Sequence, residues 1–168
     1  MTAGKPSGAL LIHITGHDRA GVTHALTQIL ADYQLRVLDI GQAVIHDALA
    51  LGILVEWTEA ARGSALLSEL LLKAHALQLQ VRLSAITAEE YEEWVAAQTK
   101  KRFIVTALGP AITAADLARV SGIVAEHSLN IDRIDRLSGR VPLAGEALPR
   151  TCVEFRLSGM EADEDSLR

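Results

Sequence analysis

The sequence predicts an α+β protein built from two copies of a ferredoxin-like βαββαβ unit, the second of them truncated. Strand and helix patterns follow the order β-α-β-β-α-β over residues 9–86, and part of that order returns over residues 102–168. Apolar residues make up 49% of the chain but aromatic residues only 4%. The cores of both units must therefore consist of Leu, Ile, Val and Ala.

Hydrophobic periodicity defines the elements of the first unit, residues 9–86. Polar and apolar residues alternate in the strands, and apolar residues recur at three- and four-residue steps in the helices. His46 and Asp47 form a candidate tight turn between the second and third strands. The predicted buried stripe of the second helix is Leu66, Leu67, Leu70, Leu71, Ala74 and Leu77. The predicted elements are a strand at 9–14, a helix from Val22 to near Gln34, strands at 37–45 and 49–57, a helix after Gly63 and Ser64, and a strand at 79–84.

One face of this sheet is expected to remain open. Both helices would pack on the same face, because two-layer packing buries their aliphatic stripes against the sheet. The other face is predicted to carry apolar residues such as Val44 and Leu54. We therefore expect it to pair with another domain.

Two short segments lie outside the units. Residues 1–8 are small and polar and are predicted to be disordered, without the apolar core of a signal peptide. Residues 87–101 are predicted to be a helical linker that opens with a capping box formed by Thr87 and Glu90. The basic run Lys100–Arg102 is too brief for a nucleic-acid-binding tract.

A weak internal repeat supports the second unit, residues 102–168. Strand and helix patterns return in the order of the first copy, but too few residues follow Gly159 for a last helix and strand. We expect that the natural chain continues past Arg168, or that another chain covers the exposed apolar side chains. At an offset of 94 residues, Ile29, Ala31, Leu35 and Ile40 recur as Ile123, Ala125, Leu129 and Ile134.

Composition excludes several classes of protein. The formal net charge is −5, which argues against nucleic acid as a partner because phosphate binding needs a basic surface. No apolar run approaches the ~20 residues that cross a bilayer, so no membrane association is expected. The single cysteine, Cys152, permits no intrachain disulfide and is predicted to be an inert core thiol. A cytoplasmic location is the simplest setting.

No catalytic residues emerge from the motifs. The sequence contains neither a serine hydrolase elbow, nor a phosphate-binding Gly-x-x-x-x-Gly-Lys loop, nor a paired-histidine metal motif. The run Asp163–Ser166 superficially resembles the nucleophile motif of haloacid-dehalogenase phosphatases. No buried apolar strand precedes it, so we interpret it as an acidic helix N-terminus. The chain alone is not expected to be an enzyme.

The strongest functional signal is the loop from Gly16 to Gly21, which joins the first strand to the first helix. Backbone N–H groups at a helix start lack intrahelical acceptors and are able to bind a carboxylate. Asp18 offers a negative charge to an ammonium group in the same loop. The alternative is that Asp18 caps the helix and the glycines only form the turn.

The second copy differs at the matching junction. It carries Leu108-Gly109-Pro110, lacks the Asp-Arg pair, and delays its helix to Thr113 or Ala114. The two copies are therefore not expected to bind a ligand equivalently. At its helix–strand junction, Asn130 and Asp132 supply an amide and a carboxylate. The alternative for Asn130 is a helix C-cap in the left-handed conformation.

These residues resemble a known family. The run Gly16-His17-Asp18-Arg19-Ala20-Gly21-Val22 on a βαββαβ unit resembles the ACT domain, a small-molecule-binding regulatory module. Over nearly the whole chain, the sequence resembles the N-terminal tandem ACT region of long bacterial phosphoserine phosphatases. The segments Leu51–Val55, Tyr91–Val95 and Leu129–Arg140 carry this wider resemblance.

The resemblance implies a function and a site. It implies an oligomerisation module, with a dimer as the expected form, that binds serine or glycine and regulates a haloacid-dehalogenase domain of L-serine biosynthesis. That domain, absent from this chain, would hydrolyse O-phosphoserine with Mg²⁺, and no cofactor is expected here. A free-standing ACT regulator and a purely structural dimerisation module remain alternatives. The implied ligand-binding residues are Gly16, His17, Asp18, Arg19, Ala20, Gly21 and Val22, with Gly109, Asn130 and Asp132 as a facing wall.

Overall fold

The chain divides between Ala96 and Ala97 into two compact units. The computed structural model describes residues 8–97, 100–140 and 150–159. Two predictions concern residues outside these ranges: the disorder of residues 1–8, except for Gly8, where the first strand begins, and the helix start at 163–166.

The first unit contains one antiparallel sheet of four strands in the order β2-β3-β1-β4. The predicted βαββαβ order is confirmed, with two helices in addition. The elements are β1 (Gly8–His17), α1 (Val22–Asp32), β2 (Val37–Ile45), β3 (Ala48–Glu56), α2 (Glu59–Arg62), α3 (Leu66–Ala76), β4 (Gln80–Thr87) and α4 (Ala88–Ala96).

The aliphatic core of this unit lies between the sheet and helices α1 and α3. Alternate residues of the central strand β3, from Leu49 to Val55, are at most 2% exposed, as their period of two predicts. Leu66 and Leu70 of α3 are fully buried against them. Burying a side chain of this size contributes about 1.5–3 kcal/mol. The predicted burial of Leu71 is wrong, because it is 45% exposed.

The face of the sheet away from α1 and α3 differs from the prediction. Val44 pairs with Leu49, so both point toward the helices, since directly paired residues share a face. A bulge between Val37 and Asp39 shifts the register of β2 and so changes which residues face the helices. Leu54 does lie on the other face, where it is buried. Helix α4 packs against β1 and β4 of this unit.

Short polar signals set the additional helices. The predicted capping box is confirmed at α4, where Glu90 Oε2 accepts from the Thr87 N–H at 2.8 Å and Thr87 Oγ1 accepts from the Glu90 N–H at 3.1 Å. Thr58 Oγ1 accepts from the Ala61 N–H at 3.2 Å and caps α2. Thr58 as N-cap and Glu59 in the first turn are a sequence signal for a helix start, and the hydrophobic pattern alone did not predict this helix.

The second unit contains a three-stranded antiparallel sheet in the order β5-β7-β6, packed on one long helix. Phe155 and Leu157 form the centre of its core with Val124 of the helix. Cys152 is half-buried and is absent from this core, so its prediction as a core thiol is wrong. The elements are β5 (Lys101–Gly109), α5 (Ala114–Glu126), β6 (Asn130–Arg136) and β7 (Thr151–Gly159).

The internal repeat is visible in backbone detail. The register shift between Ile131 and Arg133 of β6 stands 94 residues after the one between Val37 and Asp39 of β2. Helices α1 and α5 end 94 residues apart as well, at Asp32 and Glu126. The two units therefore share a strand–helix–strand arrangement in which the helix end and the bulge of the following strand occupy equivalent positions.

Three helices, α1, α3 and α5, end in the same Schellman motif before the next strand. A left-handed residue, with φ between 53° and 58°, is followed by a leucine whose N–H returns to the last helical turn. The left-handed residue of the second unit is Ser128, so the alternative that Asn130 takes this role is wrong. The motifs are Gln34 with Leu35 N–H to Leu30 O, Gln78 with Leu79 N–H to Ala74 O, and Ser128 with Leu129 N–H to Val124 O.

Candidate functional site

The loop between β1 and α1 depends on glycine at both ends. A Cβ on Gly16 would lie 2.7 Å from Cδ2 of the buried Leu79 and 3.4 Å from the Gln78 carbonyl oxygen. Gly16 therefore lets β1 pass close to the turn before β4. Gly21 has φ +87°, a left-handed conformation that disfavours side chains, and nothing lies within 4 Å of its missing Cβ.

The start of α1 has no side-chain cap, and its N-cap residue Gly21 is exposed. Gly21 is the N-cap residue, and no acidic side chain lies in the first turn. At this helix start, Val22 N–H bonds to Arg19 O and Ala25 N–H bonds to Gly21 O. The N–H groups of Thr23 and His24, which lie between them, have no acceptor among the described residues. The positive end of the helix dipole adds to these donors. This helix start is suited to bind a carboxylate.

Asp18 is half-buried in the loop, and only its backbone has a partner. Its N–H donates to Asp47 O at 2.7 Å. Its carboxylate makes no hydrogen bond or ion pair with any other residue of the described segments. Because Gly21 is the N-cap, the alternative that Asp18 caps the helix is wrong. A negative charge thus remains available to an ammonium group.

Two neighbouring turns contact the loop. On one side, the Asp47 carboxylate contacts the ring Nδ1 of His17 at 3.2 Å and that of His46 at 2.7 Å. The hydrogen bond from His46 and the charges of both imidazoles hold the pKa of Asp47 below its ordinary value. On the other side, Arg19 Nη2 donates to Gln78 Oε1 at 2.9 Å. The sequence identified His46–Asp47 as a turn but did not connect it to the loop.

The other predicted loop residues contribute in different ways. His17, Arg19, Ala20 and Gly21 are exposed, so a small ligand reaches them from solvent. Val22 is 3% exposed and anchors the start of α1 in the core. It can offer a ligand only its backbone. The seven consecutive residues from Gly16 to Val22 therefore combine an open surface with a fixed base.

The matching junction in the second unit is already satisfied by its own side chains. α5 begins after Thr113, as the sequence predicts, and Thr113 forms a capping box with Asp116. Asp116 Oδ2 accepts from the Thr113 N–H at 2.9 Å, and Thr113 Oγ1 accepts from the Asp116 N–H at 3.2 Å. The Thr113 hydroxyl also donates to Asp116 Oδ2 at 2.6 Å, and this bond, together with the one from the Thr113 N–H, lowers the pKa of the Asp116 carboxyl. A ligand carboxylate would have to displace this box.

The second-unit residues predicted as one facing wall do not lie together. Asp132 Oδ1 accepts from Asn130 Nδ2 at 2.9 Å and from Ser158 Oγ at 2.8 Å. Asn130 pairs with Ser158, whereas Gly109 pairs with Thr151 at the opposite end of β7. At about 3.4 Å per residue, the two ends are more than about 20 Å apart. A single wall containing Gly109 and Asn130 is excluded.

Among residues 8–97, 100–140 and 150–159, no three His, Cys, Asp or Glu side chains lie close enough together to hold a metal ion. Within the same part of the chain, no helix is both long and apolar enough to span a membrane.

Comparisons with known proteins agree with this fold and with the resemblance seen in the sequence. Residues 9–84 match the model of the ACT domain. Over these residues, which lie in the first unit, the chain matches the ACT domain family.

Two curated relatives extend the likeness to nearly the whole chain. The chain is 34% identical over 157 residues to a phosphoserine phosphatase of Streptomyces coelicolor, covering 92% of this chain and 34% of that protein. It is 31% identical over 164 residues to phosphoserine phosphatase SerB2 of Mycobacterium tuberculosis, covering 93% and 39%. The resemblance to the ACT region of phosphoserine phosphatases is thus confirmed, although the chain spans little more than a third of those relatives.

A solved structure shows the same fold. A protein of unknown function from Galdieria sulphuraria superposes with a TM-score of 0.68 at 18% identity, covering 90% of this chain and 82% of its own.

Proposed function

We propose that this chain is an amino-acid-binding regulatory module and that the loop Gly16–Val22 binds serine or glycine. The observation that carries the proposal is that two features occur in one loop. The Asp18 carboxylate has no partner among the described residues, and the helix start at Thr23 and His24 has no side-chain cap. A free amino acid presents the complementary pair, an ammonium and a carboxylate. The loop would therefore offer a partner to each charge of a zwitterion.

The expected affinity is modest. Charge-assisted hydrogen bonds from a carboxylate to backbone N–H groups, together with one ammonium–carboxylate pair, are among the stronger polar contacts. The loop is exposed, so water competes with each of them. Binding free energies of about −4 kcal/mol correspond to millimolar dissociation constants. That range suits a sensor of an abundant metabolite.

We further propose that the whole protein is a phosphoserine phosphatase of L-serine biosynthesis and that this chain regulates it. Serine bound here would be the reaction product of the attached catalytic part. Regulation follows from linkage: a ligand that binds one arrangement of the ACT units more tightly shifts the population toward that arrangement. A homodimer formed through the ACT units, in the cytoplasm, would provide those arrangements.

In this proposal the catalytic metal belongs to the phosphatase domain and not to this chain. Mg²⁺ would serve the phosphatase domain of the relatives, where it would polarise the phosphoryl group. The described residues of this chain contain no ligand cluster that fits it. In the proposed mechanism this chain binds an amino acid and moves no phosphate. Neither nucleic acid nor membrane enters it.

Isothermal titration of the purified chain with serine and with glycine tests the site. Asp18→Ala is expected to weaken binding by about tenfold or more, because it removes the only partner proposed for the ammonium group. Asp32→Ala is the matched control, since Asp32 is an exposed carboxylate at the far end of α1 that accepts only from Gln28. A stable dimer that gives no heat with either amino acid would replace the proposal with a purely structural role.

A further inference from the structure

We propose that Asp47 is a positioning residue that clasps the Gly16–Gly21 loop to the hairpin between β2 and β3. The consequence for ligand affinity rests on the amino-acid-binding function proposed for that loop. The clasp itself is a property of the chain and is testable without ligand.

Asp47 reaches the end of β1 through both its backbone and its side chain. Its carbonyl oxygen accepts from the Asp18 N–H at 2.7 Å. Its carboxylate contacts His17 Nδ1, one residue earlier, at 3.2 Å through one oxygen and His46 Nδ1 at 2.7 Å through the other. Two consecutive loop residues are thus fixed by one residue of the hairpin.

A two-residue hairpin turn carries these contacts. Only His46 and Asp47 connect the paired residues Ile45 and Ala48, and His46 has a left-handed φ of 59°. A turn this short fixes the register of the two strands that it joins. The contact between the two side chains of the turn fixes the carboxylate further. Asp47 therefore transmits the position of the hairpin to Asp18.

The clasp keeps Asp18 free for another partner. Because the Asp18 N–H is bonded to Asp47 O, the backbone at this position is fixed while the Asp18 side chain stays unpaired among the described residues. A binding group that is already held in place loses less entropy when its ligand arrives. Exposed Arg19 is fixed from the other side by Gln78.

The described residues of the second unit, 100–140 and 150–159, show no equivalent turn. There β6 ends at Arg136 and β7 begins at Thr151, whereas β2 ends at Ile45 and β3 begins only three positions later, at Ala48. The corresponding strand end carries Gly109 and Pro110. Pro110 directly follows β5 as Asp18 directly follows β1, and proline has no N–H with which to make the backbone bond that Asp18 makes. The contacts that define the clasp lie within the first unit.

Amide hydrogen exchange and titration of the complete chain test the clasp. Asp47→Ala keeps the carbonyl oxygen that accepts from the Asp18 N–H but removes the carboxylate contacts with His17 and His46. If those contacts hold the loop against the hairpin, the Asp18 amide is expected to exchange about tenfold faster than in the unsubstituted chain, while core amides such as that of Ile12 are unchanged. Asp47→Asn keeps one acceptor oxygen and should be intermediate. Serine or glycine affinity should fall by about tenfold in Asp47→Ala and be partly restored in Asp47→Asn. Asp32→Ala should change neither quantity.

The outcomes separate the two proposals. Unchanged exchange at Asp18 in Asp47→Ala would overturn the clasp. Faster exchange with unaltered ligand affinity would overturn its role in positioning the site, while leaving the binding proposal intact. If the unsubstituted chain binds neither amino acid, the binding proposal fails, and the exchange rate alone decides whether Asp47 holds the loop.

Discussion

The two strand–helix junctions of this chain, β1–α1 and β5–α5, occupy equivalent places in the two units but differ in how the helix N-terminus is capped. At the first, Gly21 caps α1 without a side chain and the amides of Thr23 and His24 remain unpaired. At the second, Thr113 and Asp116 satisfy the helix start with a complete capping box. The free donors that a capping box removes are those that an anionic ligand needs.

The other ends of the same helices did not diverge. Both α1 and α5 close with a left-handed residue, Gln34 or Ser128, and both lead into a strand with a bulge at the same position. Helix ends and bulges position the core in each unit, so the fold requires them. Between these two helices, the difference lies at the N-terminal end and not at the C-terminal end. The structure thus separates what the unit needs to fold from what one copy offers to a ligand.

The largest stability effect is expected at the end of β1. Gly16→Val should lower the free energy of unfolding by about 1–3 kcal/mol, because its side chain would overlap Leu79 and press on the Gln78 carbonyl. Gly41→Ala is the control, since nothing lies within 4 Å of its missing Cβ. Urea denaturation measures both. Equal losses in the two variants would contradict the close packing of β1 on the turn before β4.

A smaller loss is expected at the capped junction. Thr113→Ala should destabilise the second unit by about 1 kcal/mol, because Thr113 Oγ1 no longer accepts from the Asp116 N–H. Amino-acid binding should be unaffected, since the ligand is proposed to bind at the other junction. Thermal unfolding and titration of the same sample test both statements. Loss of binding in Thr113→Ala would shift the site to the second unit.

The smallest effect is a dependence of stability on pH. The pKa of Asp116 is lower in the folded chain than its unfolded value of about 3.9. Its contribution is therefore complete above pH 3.9 and is lost as the pH falls through the lower, folded pKa. Asp116→Asn should be less stable than the unsubstituted chain at neutral pH, and the difference should vanish in acid. Denaturation curves at several pH values measure it, and a gap that widens in acid would contradict the lowered pKa.

Hydrophobic periodicity predicted most of the fold because it reports directly on burial. The alternate residues of β3 and the buried positions Leu66 and Leu70 follow from period alone. The pattern did not predict which face of the sheet carries Val44. The bulge in β2 changes the strand register, and the order of apolar residues does not reveal it. Leu71 was misplaced because the stripe of α3 is narrower than its leucine content suggests.

The candidate site was only partly readable from the sequence. Glycines around a short polar loop indicated Gly16 to Gly21, because glycine at a turn has a local cause. The contacts of Asp47 and Gln78 with that loop are long-range, and no local spacing encodes them. Grouping Gly109 with Asn130 failed for the same reason, since the strand pairing of β7 places them at opposite ends of the sheet.

Mapping of serine binding by backbone amide chemical shifts tests the central claim most directly. Serine is expected to shift the amides of Asp18, Gly21, Thr23 and His24 in one saturable process. The amides of Asp116 and Asp132 in the second unit should stay in place. Shifts confined to the second unit, or no shifts at millimolar serine, would contradict it.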